Sequence, residues 1–165
     1  GVAFNDEYRL DNTNAVCASI EFPNYKMFYR LQMANPGQEW VILVINAAIL
    51  WNAKAAFCKT NAASKEVTQV PLEARMNDTS FEGLFAEYGV TPRKDLGIPD
   101  RFPTNPQAEV LLTEGIPRQY FMGAFVKTGA LEQQLTAQHP GFRTLCRPGY
   151  FKPRVDFKSW PINNG

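Results

Sequence analysis

The sequence predicts a mixed α+β domain built on a curved, mostly antiparallel sheet with short flanking helices. The chain has 165 residues, and since a domain usually takes about 100–200 residues, residues 1–165 are interpreted as one domain. The apolar content of 45% and charged content of 20% are typical of a globular protein. Strand-like segments outnumber helical ones and the helical ones are short, which favours the α+β class.

The first predicted elements are a strand, a helix and a second strand. Residues 15–22 are rich in strand formers and stop at Pro23. Asn24 is a suitable N-cap for a helix over residues 25–33, whose apolar residues share a loose face. Residues 39–45 are almost continuously apolar and β-branched, which indicates a short buried strand.

Between this strand and residue 78, the sequence predicts only short elements. They are a helix from Asn46 through Leu50, a strand at residues 57–58 and a helix over residues 62–65. The polar stretch over residues 66–78 is predicted to be irregular. No repeat or low-complexity segment interrupts the chain.

Residues 80–88 predict an amphipathic helix, because apolar residues recur there at helical spacing. A long irregular loop then spans residues 89–106 and contains four prolines and two glycines. A loop of this length in a small domain is usually either functional or disordered. The remaining predicted elements are strands over residues 108–113 and 122–127, a helix over residues 130–138 and a strand near residues 142–146.

Composition excludes several classes of protein. Seventeen Lys+Arg against 16 Asp+Glu leave a net charge of +1, so no global basic field indicates a nucleic-acid binder. The longest apolar run, residues 40–51, is far shorter than the ~18–20 residues of a membrane span, so no membrane partner is expected. Three widely spaced cysteines and a single histidine disfavour a disulfide framework, a metal site and a Ser-His-Asp triad. A reducing, cytoplasmic setting is expected.

Glu109 is the strongest candidate for a catalytic residue. It stands at the start of a predicted apolar strand, directly after the long loop, and no Lys or Arg is adjacent to it in the sequence. A carboxylate at the exit of a loop can be held rigidly while the loop brings a substrate to it. The alternative is that strand alternation simply turns Glu109 toward solvent.

Basic residues near both ends of the chain are candidate phosphate ligands. Arg9 precedes the first predicted strand and its guanidinium suits a pyrophosphate, although a solvated loop arginine has the same pattern. The segment 143–158 interleaves cations with aromatic residues, a pattern suited to a single nucleic-acid strand. Alternatively, its aromatic residues pack on the core and its charges face solvent. The candidate nucleic-acid-binding residues are Arg147, Lys152 and Arg154.

Three stretches, taken together, are similar to one protein family. They are PNYKMFYRLQ (residues 23–32), FCKTNAAS (residues 57–64) and NPQAEVLLTEGIPRQYFMGAFV (residues 105–126). In the same order, they resemble an early segment, an aromatic-plus-NAA segment and a QAE-V-L block of the DarT-type DNA ADP-ribosyltransferases. The resemblance implies an ADP-ribosyltransferase fold that splits NAD+ and attaches ADP-ribose to a base of single-stranded DNA.

The same resemblance implies roles for individual residues. Glu109 falls on the family's catalytic glutamate, and Arg9 on its catalytic arginine, which would also bind NAD+. Met27 and Tyr29 would border the NAD+ pocket, with core packing as the alternative for both. The loop over residues 89–106 corresponds to the substrate-recognising loop. Family members are typically toxins countered by a macrodomain antitoxin, and some act in phage defence, so single-stranded DNA and a macrodomain are the implied partners.

The sequence departs from the family pattern at one residue. The family's nicotinamide-side histidine lies upstream of the arginine, and His139 is in the wrong place to replace it. The chain is therefore expected either to be N-terminally incomplete and weakly active alone, or to have an incomplete NAD+ pocket. Two alternative functions remain open: a non-catalytic module of the same fold that binds a single nucleic-acid strand, and a transferase with an RNA or protein acceptor.

Overall fold

Short strands and short helices are mixed along the chain. A computed structural model describes residues 15–160. The six strands are β1 (Val16–Ala18), β2 (Val41–Ile45), β3 (Ala55–Cys58), β4 (Glu109–Leu112), β5 (Phe121–Val126) and β6 (Thr144–Cys146). The five α-helices are α1 (Tyr25–Ala34), α2 (Ile49–Asn52), α3 (Lys65–Thr68), α4 (Asp78–Glu82) and α5 (Gly129–Gln138). The α+β class is thereby confirmed.

The strands divide between two three-stranded sheets, whereas the sequence suggested a single one. The first has the order β1-β4-β3 with antiparallel neighbours. The second has the order β2-β5-β6, in which β2 and β5 are antiparallel and β5 and β6 are parallel. The parallel pair follows from α5, because a parallel partner needs a crossover between the two strands.

The close packing of β5 against β6 depends on a glycine. Gly123 has a φ of +154°, and a Cβ at this position would overlap the main-chain carbonyl oxygen of Arg143. The main-chain N–H of Ala124 donates to that same carbonyl at 2.8 Å. A side chain at residue 123 would therefore push the edge of the second sheet away.

The core lies on both faces of the first sheet, with β4 in its centre. On one face, Phe57, Val110 and Leu112 pack with Ile49 and Leu84. On the other face, the cluster consists of Ala56, Cys58, Ala62, Val67 and Leu111. All four residues of β4 are buried, since neighbouring elements cover both sides of this strand.

The strand β2 forms where it was predicted, but the prediction that it is buried is wrong. Val41 and Leu43 are exposed, and the intervening Ile42 is half-buried. The reason is that one face of β2 is not covered by other elements, as is common for strands of antiparallel sheets.

Several predicted helices have different bounds in the structure. The helix expected over residues 80–88 begins at Asp78 and ends at Glu82, and a 3-10 turn, Gly83–Phe85, follows it. Gly83 explains this change, because glycine is unfavourable inside an α-helix. The helix expected over residues 62–65 was misplaced, since Asn61 Oδ1 accepts the N–H of Ala63 in a turn and α3 starts after it.

Within residues 15–160, none of the helices has the length and apolar character needed to cross a bilayer.

Candidate active site

Glu109 lies on the central strand of the first sheet and its side chain is buried, with 5% of the residue exposed. Its Oε2 accepts the main-chain N–H of Ala62 at 2.8 Å. Its Oε1 accepts a longer hydrogen bond, 3.4 Å, from the side-chain amide of Asn24. The alternative that strand alternation turns Glu109 toward solvent is therefore wrong. Two donors from distant parts of the chain fix the position of this carboxylate.

Asn24 is held so that its amide nitrogen must face Glu109. Its Oδ1 accepts the N–H of Met27 at 3.2 Å, as the predicted N-cap of α1 should. Its own N–H donates to Ser19 Oγ at 3.1 Å. Because the cap takes the oxygen, only the Nδ2 group is available to the carboxylate.

A buried arginine and thiol lie next to the carboxylate on the same face of the sheet. Cys58 of β3 is directly opposite Glu109 in the antiparallel register, and Arg75 Nη1 donates to its Sγ at 3.1 Å. Burial raises the pKa of the Cys58 thiol, the positive charge of Arg75 opposes this rise, and the charge of Glu109 adds to it. Arg75 is only 6% exposed. Sequence reasoning missed Arg75, because it falls in the stretch predicted to be irregular and no local pattern marks it.

In the sequence all three cysteines lie in or near apolar strands, which predicts core positions, but their environments differ. Cys58 is buried, Cys146 is half-buried and Cys17 is exposed. The interpretation is wrong for Cys17, because the β1 pattern leaves Val16 and Cys17 on the outside of this edge strand. Within residues 15–160, no group of three or more His, Cys, Asp or Glu side chains could hold a metal ion.

The loop that precedes Glu109 is held in place by two arginines that meet at Thr104. Arg93 Nη1 donates to the hydroxyl of Thr104 at 2.7 Å, and its Nη2 donates to the carbonyls of Asp100 and Phe102. Arg154 donates to the carbonyls of Pro103 and Thr104, both at 2.7 Å. Thr104 itself is fully buried. The irregular loop predicted over residues 89–106 is therefore tied down at its C-terminal end, just before β4.

Arg154 must be removed from the candidate nucleic-acid-binding residues. It is 3% exposed, and its guanidinium pairs with Asp156 through two hydrogen bonds of 2.7 and 2.6 Å. Because two loop carbonyls are further acceptors, the group is fully engaged inside the protein. Arg147 and Lys152 are exposed. The aromatic residues of the segment pack on the protein, since Phe151 is buried and Tyr150 packs on Phe125 with ring centroids 4.8 Å apart, and the nucleic-acid role of its exposed cations stays a prediction.

Met27 and Tyr29 are exposed on α1, so the alternative that both pack in the core is wrong. Met27 is 41% exposed and Tyr29 is 50% exposed. Tyr29 lines a groove of about 520 Å³ between α1, residues 35–40, the start of α5 and residues 151–153. We call this the α1 groove. Lys152, expected to bind nucleic acid, lines the same groove, and so does Lys127, which sequence reasoning missed.

Comparison with known families decides the identity of the fold. The family described as DarT, ssDNA thymidine ADP-ribosyltransferase, matches residues 22–155. The chain belongs to the DarT family. The match covers well over half of the chain, and it agrees with the family that the sequence resembles. No curated protein matches the chain.

Solved DarT structures share the fold. The structure of Thermosipho africanus DarTG in complex with ADP-ribose superposes with a TM-score of 0.52 at 14% identity. That of Thermus sp. 2.9 DarT in complex with NAD+ superposes with a TM-score of 0.51 at 17% identity. The matches cover 90% and 84% of this chain. The chain spans 42% of the Thermosipho chain and 73% of the Thermus chain.

The three stretches that carry the DarT resemblance converge on one carboxylate. The third stretch supplies Glu109 itself, the first supplies Asn24 and the second supplies the N–H of Ala62. Residues that lie 85 and 47 positions from Glu109 in the chain are thus its hydrogen-bond donors. Arg9 lies outside the described residues, so its predicted role stays a prediction.

Proposed function

We propose that the chain transfers ADP-ribose from NAD+ to a thymidine base of single-stranded DNA, with Glu109 as the catalytic carboxylate. The observation that carries the proposal is the convergence of the three DarT-like stretches on Glu109, which is buried and held by two donors. The description of the matching family supports the acceptor, and the likeness to Thermus DarT in complex with NAD+ supports NAD+ as the donor substrate.

The carboxylate fits the chemistry that NAD+ requires. Breaking the bond between nicotinamide and ribose develops positive charge on the ribose, which a fixed negative group stabilises. Glu109 is suited to this because its two donors prevent it from turning away and because its burial strengthens its electrostatic effect. The rigid end of the preceding loop, held at Thr104, would then present the DNA base to the same place.

The other site residues have proposed roles of different kinds. Arg9 would contact NAD+ as the second catalytic residue, and Met27 would border the NAD+ pocket, as the family resemblance implies. Arg147 and Lys152 would contact DNA phosphates, since both are exposed cations. These roles are separable by kinetics, because an NAD+ contact alters the KM for NAD+ and a phosphate contact alters the KM for DNA.

The proposal is tested by incubating the protein with labelled NAD+ and a single-stranded oligonucleotide. Label is expected in DNA that contains thymidine and not in an otherwise identical strand in which every thymidine is replaced. RNA and protein acceptors of matched concentration test the alternative acceptors. Oligonucleotide binding without any transfer would overturn the proposal in favour of the non-catalytic module.

We further propose that the activity serves as a toxin or in phage defence, opposed by a macrodomain partner. Support comes from the family resemblance and from the likeness to the Thermosipho DarTG structure. The unbridged thiols of Cys58 and Cys146 support a reducing, cytoplasmic compartment for the reaction. Induced expression should stop growth, and Glu109→Gln should relieve the arrest. Relief by a co-expressed macrodomain that removes ADP-ribose from DNA tests the partner.

A further inference from the structure

The α1 groove contains two buried polar atoms without a partner. The hydroxyl of Tyr25 and the indole Nε1 of Trp40 make no hydrogen bond to any residue within 15–160, and both side chains line the groove. Tyr25 is 6% exposed. Native proteins rarely leave buried donors unpaired, since each one costs free energy. A ligand in the groove that carries hydrogen-bond acceptors would satisfy both.

The walls of the groove are aromatic. Phe28 packs edge-on against Trp40 with ring centroids 5.6 Å apart, and it also contacts Phe151 at 5.6 Å. Tyr29 also lines the groove and is half-exposed. The flat face of a nucleobase stacks on such rings, and carbonyl groups at the edge of a base are acceptors for Tyr and Trp donors.

The charge of the groove also fits a nucleotide. Lys127 and Lys152 are exposed cations that line it, and Glu39 is the acidic residue among the lining side chains. Two ammonium groups against one carboxylate leave a positive rim around aromatic walls. This combination of cations and rings is the one that single-strand binding proteins use.

The groove starts close to the candidate active site. Asn24, which bonds to Glu109, is followed directly by Tyr25 of the groove wall. Tyr29 lies about 6 Å beyond Tyr25 along α1, at about 1.5 Å per residue. One strand can therefore place one nucleotide near Glu109 and a nearby nucleotide in the groove.

We propose that the α1 groove is a subsite for a nucleotide that flanks the modified thymidine in the DNA strand. The base stacks against Tyr29 and the Phe28–Trp40 pair, the donors of Tyr25 and Trp40 bind its acceptors, and Lys127 and Lys152 contact the adjoining phosphates. The subsite rests on the proposed DNA transferase function and specifies where the protein binds the strand beyond the reacting base.

The first experiment measures affinity independently of transfer. Fluorescence anisotropy with a labelled, thymidine-containing single strand gives the Kd of the wild type, Tyr29→Ala and Tyr29→Phe. Tyr29→Ala should raise the Kd about tenfold, as expected for one lost stacking contact. Tyr29→Phe keeps the ring and should retain the wild-type Kd. Because Tyr29 is half-exposed, its replacement should leave folding intact, and an unchanged Kd for Tyr29→Ala would overturn the subsite.

The second experiment identifies the base in the groove. Strands with one abasic nucleotide are scanned on both sides of the target thymidine. For the wild type, one flanking position should raise the Kd, and for Tyr29→Ala the same position should have no further effect. If the abasic nucleotide raises the Kd of the wild type and of Tyr29→Ala by the same factor at every position, the proposal is overturned. Tyr25→Phe, which removes only an unpaired hydroxyl, should also weaken binding of the intact strand.

Kinetics then separate this subsite from the predicted place of Tyr29 beside NAD+. In the transfer assay, Tyr29→Ala should raise the KM for DNA about tenfold and leave the KM for NAD+ unchanged. A raised KM for NAD+ with an unchanged KM for DNA would overturn the subsite and place Tyr29 at NAD+. If the wild type transfers nothing but Tyr29→Ala still weakens binding, the proposed function fails and the subsite stands. If transfer is normal and Tyr29→Ala alters neither constant, the subsite fails and the proposed function stands.

Discussion

Glu109 and Ala62 are joined by a hydrogen bond of 2.8 Å from the main-chain N–H to Oε2, and this bond orients the carboxylate of the candidate active site. A main-chain donor cannot rotate away, unlike a side chain. The bond therefore holds the carboxylate even when Asn24 is changed. Substitutions at Asn24 consequently act on the charge around a carboxylate that stays in place.

Replacing Glu109 with Gln should lower the rate of DNA modification by about 10²–10³-fold, because the negative charge that stabilises the ribose is lost. Gln keeps an oxygen for the N–H of Ala62 but sets an NH₂ group against Asn24 Nδ2. A stability loss of about 1 kcal/mol is expected from this conflict. Transfer rates and thermal unfolding check both parts. Glu114→Gln, in an exposed ion pair with Lys54, is the matched control. A transfer rate near that of the wild type would exclude Glu109 as the catalytic group.

Replacing Asn24 with Asp should shift the acidic limb of the pH–rate profile to higher pH. Asp keeps an acceptor for the N–H of Met27, so α1 stays capped. It also puts a second carboxylate beside Glu109, and two close carboxylates raise the pKa of one of them. Activity should therefore fall at neutral pH and recover as the pH rises. Asn24→Ser, a capping residue without added charge, should shift the limb less, because it removes only the hydrogen bond to the carboxylate. The same limb in both variants would contradict a direct Asn24–Glu109 interaction.

Replacing Arg154 with Met should destabilise the protein by about 3–5 kcal/mol, because Asp156 would remain buried without its partner. The carbonyls of Pro103 and Thr104 would also lose their donors. The double variant Arg154→Met with Asp156→Leu should recover part of this loss. Urea unfolding gives the free energies, and Lys152→Gln, at an exposed position, should stay within about 0.5 kcal/mol of the wild type. A small effect of Arg154→Met would mean that the loop is held by Arg93 alone.

Neutralising Arg147 and Lys152 together should flatten the salt dependence of DNA binding. If both contact phosphates of a single strand, the slope of log K against log[salt] should become shallower by about 1.4, or about 0.7 for each cation. Arg154 is excluded from this set because it is buried. Lys65→Gln, at an exposed position of α3, is the control. An unchanged slope would assign the aromatic and basic segment to packing only.

Local patterns were sufficient to predict elements that depend on nearby residues. The cap at Asn24 and the apolar face of α1 are set within ten residues, and the structure confirms the cap and the helix. The burial of Glu109 was not predictable from its strand, because alternation assumes that one face meets solvent and β4 is covered on both. Arg154 resembled an exposed cation in sequence, since its acceptors at Pro103 and Thr104 lie about 50 residues away. Contacts between residues so far apart in the sequence determine which charged side chains are buried and paired and which are exposed to solvent.

Replacing Tyr25 with Phe should stabilise the protein at neutral pH and more strongly at alkaline pH. The hydroxyl of Tyr25 is buried without a partner among residues 15–160, so removing it should add about 1 kcal/mol. Burial, with a contribution from the charge of Asp156, raises the pKa of Tyr25 to about 12. A pKa that is higher in the folded state than in the unfolded one means that the protonated form stabilises the fold. In the wild type this contribution is fully present below the ordinary value of 10 and is lost as the pH rises toward 12.

The unfolding free energy of Tyr25→Phe, measured by urea titration, should therefore fall less between these pH values than that of the wild type. Tyr29→Phe is the matched control, because it removes an exposed phenol of the same helix and should stay within about 0.5 kcal/mol of the wild type. Parallel curves for Tyr25→Phe and the wild type would show that the Tyr25 hydroxyl has the same pKa in the folded and unfolded states, which would contradict the rise that burial causes.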